Sequence, residues 1–159
     1  MSVVEKATFY WEWIQLKKTE FNILAMLAEQ GGSFCGNYAD MMRYLSVTPQ
    51  SKNRDQLKEA IESLTSKGFI EWEECGRTQK LKVIPKATEI TIPRPFVKSV
   101  IDHDYTSEAV AFAQILKLLV WVIHNRMDIV TNAMIAEDLG VSESTVVSAK
   151  NVLVKEYEN

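Results

Sequence analysis

The sequence predicts a mainly helical α+β protein with small β-hairpins, laid out as a three-helix unit with a hairpin followed by a second three-helix unit without one. Three observations predict it. Apolar residues recur at helical spacing through most of the chain. Two short runs, Phe69-Ile70-Glu71-Trp72-Glu73-Glu74 and Thr78-Gln79-Lys80-Leu81-Lys82-Val83-Ile84, have strand character and flank a turn-forming Cys75-Gly76-Arg77. Residues 135–149 read as a helix, a sharp turn and a second helix.

Taken in order, Thr8 to Leu16 is expected to be a short strand, with Phe9, Trp11 and Trp13 on one side of the extended chain. A helix beginning at Lys18 or Thr19 runs to about Glu29 and buries Phe21, Leu24, Leu27 and Ala28; Gln30-Gly31-Gly32-Ser33 stops it. A second helix from about Asn37 to Leu45 buries Met41 and Leu45. A third, from about Ser51 to Lys67, buries Leu57, Ala60, Ile61 and Leu64, with Lys67-Gly68 as its C-terminal stop. Pro49 suits a first helical turn, so the third helix either starts early with Thr48 as its cap or follows a longer Pro49-Gln50-Ser51 loop. After the hairpin, Ile90-Thr91-Ile92 reads as a strand or extended connector. Pro93, Pro95 and the polar run Asp102-His103-Asp104-Tyr105-Thr106-Ser107 read as a linker. Ser107 then caps a helix from Glu108 to about Asn125. The expected division is therefore a first domain over 1–92, a linker over 93–107 and a second domain over 108–159.

In the last segment Ile135 and Leu139 share a buried face, Ala136 is small where two helices press together, and Gly140 supplies a left-handed C-cap. Ser142 caps the next helix, whose Val146 and Ala149 face back toward Ile135. This segment resembles the helix-turn-helix of DNA-binding proteins, whose second helix lies in the major groove. Residues 9–85, with strand, three helices and hairpin in that order and the passage Leu57, Ala60-Ile61, Leu64, Lys67-Gly68-Phe69-Ile70, resemble a winged helix. The second half reaches Tyr157-Glu158-Asn159 before any hairpin, so it is expected to be wingless, or truncated in a fragment of a longer protein. Tandem units of this kind look similar to replication initiators of plasmids and phages and to bacterial transcription regulators.

Composition excludes several classes. With 47% hydrophobic residues the chain is not disordered. Cys35 and Cys75 form no Cys-x-x-Cys pair, which leaves zinc fingers and disulfide frameworks unsupported and suits a reducing cytoplasm. No secretory signal opens the sequence, and the apolar stretch Val110 to Ile123 is short for a membrane span and holds Gln114 and Lys117. No metal, cofactor or catalytic set is expected. His103 between Asp102 and Asp104 reads as a solvated linker, His124 as a helix-end residue, and Glu71, Glu73 and Glu74 as the wet face and end of a strand. Trp11, Trp13 and Trp72 read as core or interface before base-stacking platforms.

Basic residues collect in the hairpin and connector (Arg77, Lys80, Lys82, Lys86, Arg94, Lys98) and in the third helix (Lys52, Arg54, Lys58). The winged-helix resemblance implies that Lys52, Asn53, Arg54 and Gln56 meet bases or phosphates of double-stranded DNA, that Arg77 and Lys80 clamp the backbone, and that Ser144, Thr145 and Ser148 contribute from the second unit. The formal charge of −3 runs against nucleic acid without excluding one basic face. The competing expectation is a protein-interaction module with no DNA contact, permitted by the acidic charge and the aromatic N-terminal strand, whose apolar helix Val110 to Ile123 packs on a twin to make a homodimer.

Overall fold

The computed structural model describes residues 6–45, 50–102, 112–125 and 131–158, the side chains of 153–158 excepted. The order is β1 (Lys6–Tyr10), a 3-10 turn (Trp11–Trp13), α1 (Lys18–Glu29), β2 (Ser33–Gly36), α2 (Tyr38–Tyr44), α3 (Ser51–Ser66), β3 (Ile70–Cys75), β4 (Thr78–Val83), β5 (Glu89–Pro93), α4 (Arg94–Asp102), α5 (Phe112–Asn125), α6 (Asn132–Leu139) and α7 (Glu143–Glu158). It is a mixed α+β fold with two small antiparallel sheets, one ordered β2-β4-β3 and the other pairing β1 with β5.

The first strand is shorter than its aromatics suggest. It stops at Tyr10, and the 3-10 turn that follows breaks the two-residue alternation, so Phe9 and Trp13 are buried while Trp11 is half-exposed. The Trp11 N–H then donates to the Thr88 carbonyl at 3.0 Å. α1 is buried along most of its circumference, because α3, β1, β4, α4 and α5 all pack around it. Its Glu20 is almost fully buried and accepts from Ser63 Oγ at 2.6 Å, from Lys67 Nζ at 3.0 Å and from the Lys17 N–H at 3.1 Å, which ties the start of α1 to the end of α3.

β2 is an element that the sequence pattern does not announce. Four residues with one aromatic and no β-branched side chain carry little strand signal, and β2 exists because β4 offers it a partner, Cys35 opposite Lys80. α2 is capped reciprocally: Asn37 Oδ1 accepts from the Asp40 N–H at 2.8 Å and Asp40 Oδ2 from the Asn37 N–H at 3.0 Å. α3 begins at Ser51 with Gln50 extended (φ −118°, ψ 153°), so the helix does not run back through Gln50 to an earlier start; Thr48 and Pro49 lie outside the described residues. Gly68 (φ 83°) ends α3 and the Phe69 N–H closes back on the Leu64 carbonyl at 2.9 Å, turning the chain directly into β3.

The expected linker is the main correction. Its stretch 94–102 is helical, because Val97, Val100 and Ile101 recur at helical spacing and are buried against the core, and Pro95 falls in the first turn, where its missing N–H costs nothing. The Ser107 cap lies outside the described residues. α5 is central to the second half and also packs on α1, α4, β5 and the 3-10 turn, so the buried side chains of both halves form one cluster. The buried Lys117 of α5 donates to the Leu16 carbonyl at 2.7 Å and lies 5.4 Å from the centre of the Phe21 ring. Among the described residues no helix is long and apolar enough to cross a membrane.

Candidate nucleic-acid interface

Two outer helices and one hairpin carry the expected contact residues. On α3, burial of Leu57, Ala60, Ile61 and Leu64 fixes which way every other side chain points. Consecutive helical residues diverge by about 100°, so Lys52, Asn53 and Arg54 cannot share a face. Lys52 and Gln56 lie on one flank and Arg54 on the other, all exposed. Asn53 turns toward the buried side and is only half-exposed. The outermost face also carries Asp55, Glu59 and Glu62, which alternate with Lys52 and Lys58. Arg54 lies near Tyr38 at the start of α2, whose pKa is raised by burial and by Glu74 and Glu62, while Arg54 pulls the other way.

The hairpin turns at Gly76 (φ 63°), leaving Arg77 exposed at its tip. The face toward the body holds Ile70, Leu81 and Trp72, whose Nε1–H donates to Gln79 Oε1 at 2.7 Å. The outer face holds Lys80 and Lys82, but each is opposed across the strands: Lys80 stands between Glu73 and Cys35, and Lys82 between Glu71 and Ser33. A shallow open concavity covers this face, lined by those charges with the rims of Phe34 and Trp72. The two lysines therefore sit in a mixed field, whereas Arg77 projects beyond the last strand pair, Cys75 with Thr78.

The rest of the expected basic patch is dispersed. Lys86 donates to the Gly68 carbonyl at 2.8 Å and lies 4.6 Å from the centre of the Phe69 ring. Lys98 pairs with Asp102 at 3.1 Å and covers Tyr44. These cations brace α3's exit and α4.

In the second half the turn is built as its residues suggest. Thr131 Oγ1 caps α6 by accepting from the Met134 N–H at 3.2 Å. Gly140 is left-handed (φ 68°, ψ 35°), and the Val141 N–H closes on the Ala136 carbonyl at 3.0 Å. Ser142 Oγ accepts from the Thr145 N–H at 3.2 Å and also lies 3.0 Å from Ser144 Oγ and 2.8 Å from Thr145 Oγ1. Ile135, Ala136, Leu139, Val146, Ala149 and Val152 are buried. Ser144 is exposed and Thr145 and Ser148 half-exposed, so all three reach the surface of α7, although the hydroxyls of Ser144 and Thr145 are held by Ser142.

Contacts missed by sequence reasoning are mostly aromatic. Trp11 stacks on His124 with centroids 4.1 Å apart, and Trp121 Nε1–H donates to Asp138 at 2.7 Å, joining α5 to α6. Cys35 and Cys75 are free, exposed thiols. His103 lies outside the described residues, and among these no group of three or more His, Cys, Asp or Glu side chains is arranged to hold a metal ion.

No family model, no curated protein and no solved structure matches the chain.

Proposed function

We propose that this chain binds double-stranded DNA through two helix-turn-helix-like units, the first of them winged, as a transcription regulator or a replication initiator. The observation that supports the reading best is the way α3 runs straight into a hairpin whose return strand is pinned to the body by β2. That arrangement leaves Arg77 exposed at the hairpin tip, which supports a winged-helix reading in which the tip meets a groove and its flanking phosphate. The tight α6–α7 turn supports a second unit of similar plan. Lys52, Arg54 and Gln56 meet the duplex from α3, Arg77 from the tip, and Ser148 from α7; Asn53 and Lys80 contribute less, given the direction of one and the Glu73 opposite the other.

The test is binding to random-sequence duplex across a range of salt. Log affinity falls with log salt, and Arg77→Ala lowers the slope by about 0.9, the share of one neutralised phosphate. Absence of binding at low ionic strength overturns the proposal.

A second reading, a protein-interaction module, is favoured by the alternating charges on α3 and the hairpin face and by exposed Val122, Met134 and Val147. It predicts a dimer by sedimentation and no affinity for duplex.

A further inference from the structure

The outward face of α7 has a chemistry of its own. Burial of Val146, Ala149 and Val152 leaves Ser144, Val147, Ser148 and Asn151, spaced i, i+3, i+4 and i+7, as one stripe on the opposite side. Val147 stands in its middle, 43% exposed. Among the described side chains the stripe carries no charge. Lys150 is drawn aside onto Asn132 Oδ1 at 2.5 Å, and Glu143 borders the stripe one turn earlier. A neutral stripe edged by a carboxylate is poorly suited to phosphates. It matches the groove floor, where base edges present hydrogen-bonding groups and, at thymine alone, a methyl group. Without an arginine on this stripe, bidentate reading of guanine is not available, whereas an asparagine amide pairs with the N6 and N7 edge of adenine.

We propose that α7 reads an A·T pair in the major groove, with Val147 packed on the thymine C5-methyl and the Asn151 carboxamide directed to adenine. This inference rests on the duplex-binding reading above and gives it a target: the second unit supplies base preference, while the cations of the first supply affinity.

The experiment selects duplexes from a random pool with the full chain, then replaces each shared thymine by deoxyuridine, which removes the methyl group alone. At one position the replacement weakens binding by about fourfold, the worth of one methyl group taken out of water. Val147→Ala, which touches no buried contact and keeps the circular dichroism melt, binds the thymine and uracil duplexes equally, and Asn151→Ala loses the preference for that pair. Selected sites indifferent to the thymine methyl, or discrimination that survives Val147→Ala, overturn the inference while duplex binding and its Arg77-dependent salt slope stand. Failure to bind random duplex at all removes both proposals together. A protein dimer dispersed by Val147→Asp also overturns the inference, by giving the stripe to a second copy of the chain.

Discussion

Gly140→Ala isolates the geometry on which the α6–α7 arrangement depends. The residue sits at φ 68° and ψ 35°, and a methyl group added there meets no atom within 4 Å. The cost is therefore torsional, with no steric part. The left-handed conformation costs an ordinary L-residue about 1–2 kcal/mol. Alanine recovers about 0.4–1 kcal/mol by reducing the freedom of the unfolded chain. The net loss is about 1 kcal/mol, which for a chain of this size lowers Tm by about 2–4 °C. Gly140→Asn loses less, because asparagine tolerates this region. Differential scanning calorimetry of the three proteins measures the series. An unchanged or raised Tm for Gly140→Ala refutes the left-handed cap. A loss above about 3 kcal/mol refutes the open space around it, since only a clash adds that much.

Other substitutions test the links between elements. Glu20→Gln costs about 1–3 kcal/mol near neutral pH, read by urea unfolding, because Ser63 and Lys67 lose a buried charged acceptor. Burial pushes the Glu20 carboxyl up, but the donors Ser63, Lys67 and the Lys17 N–H together hold it below its ordinary value of 4.5. Its contribution is thus complete above pH 4.5 and disappears as pH falls through the lower folded value, so the wild type loses its advantage over Glu20→Gln in acid. Burial lowers the Lys117 pKa from 10.5, with Glu20 opposing the shift in part. The folded chain then binds fewer protons than the unfolded one just below pH 10.5, so the wild type gains stability relative to Lys117→Met as pH rises toward that value, measured by urea unfolding of both. Ser142→Ala removes the α7 cap and costs about 1 kcal/mol, detected as a lower urea midpoint at unchanged slope.

Helices were legible where one face is apolar and no proline interrupts the run. Met41 and Leu45, then Leu57, Ala60, Ile61 and Leu64, then Ile135, Leu139, Val146 and Ala149 are buried as their spacing predicts, because amphipathic periodicity and burial are the same fact seen twice. The elements that escaped depend on partners distant in sequence. β2 has no pattern apart from β4. α4 hides behind two prolines and a short apolar triplet, Val97, Val100 and Ile101, that only the core makes decisive. The N-terminal strand was overextended because Trp11 and Trp13 mimic alternation, when a 3-10 turn sends one outward to His124 and the other into the core.

The candidate interface was legible as a list of residue types and illegible as a field. A run such as Lys52-Asn53-Arg54 looks like one basic patch in a line of text, yet a helix sends its three side chains in three directions. Likewise Lys80 and Lys82 share a face that β3 fills with Glu73 and Glu71, a pairing that requires the hairpin register. Opposite charges at that spacing screen each other before a phosphate arrives. On the duplex-binding reading, counterion release is then carried chiefly by Arg77 and the flanks of α3, and the salt dependence is shallower than the count of Arg77, Lys80 and Lys82 suggests. Exchanging Glu73 for Gln would free Lys80 from its opposing carboxylate, so Glu73→Gln steepens the salt slope where Lys80→Ala alone barely changes it. Equal and opposite effects of the two substitutions would mean that Lys80 already reaches the phosphate past its neighbour, and the hairpin face would then belong to the interface along with its tip.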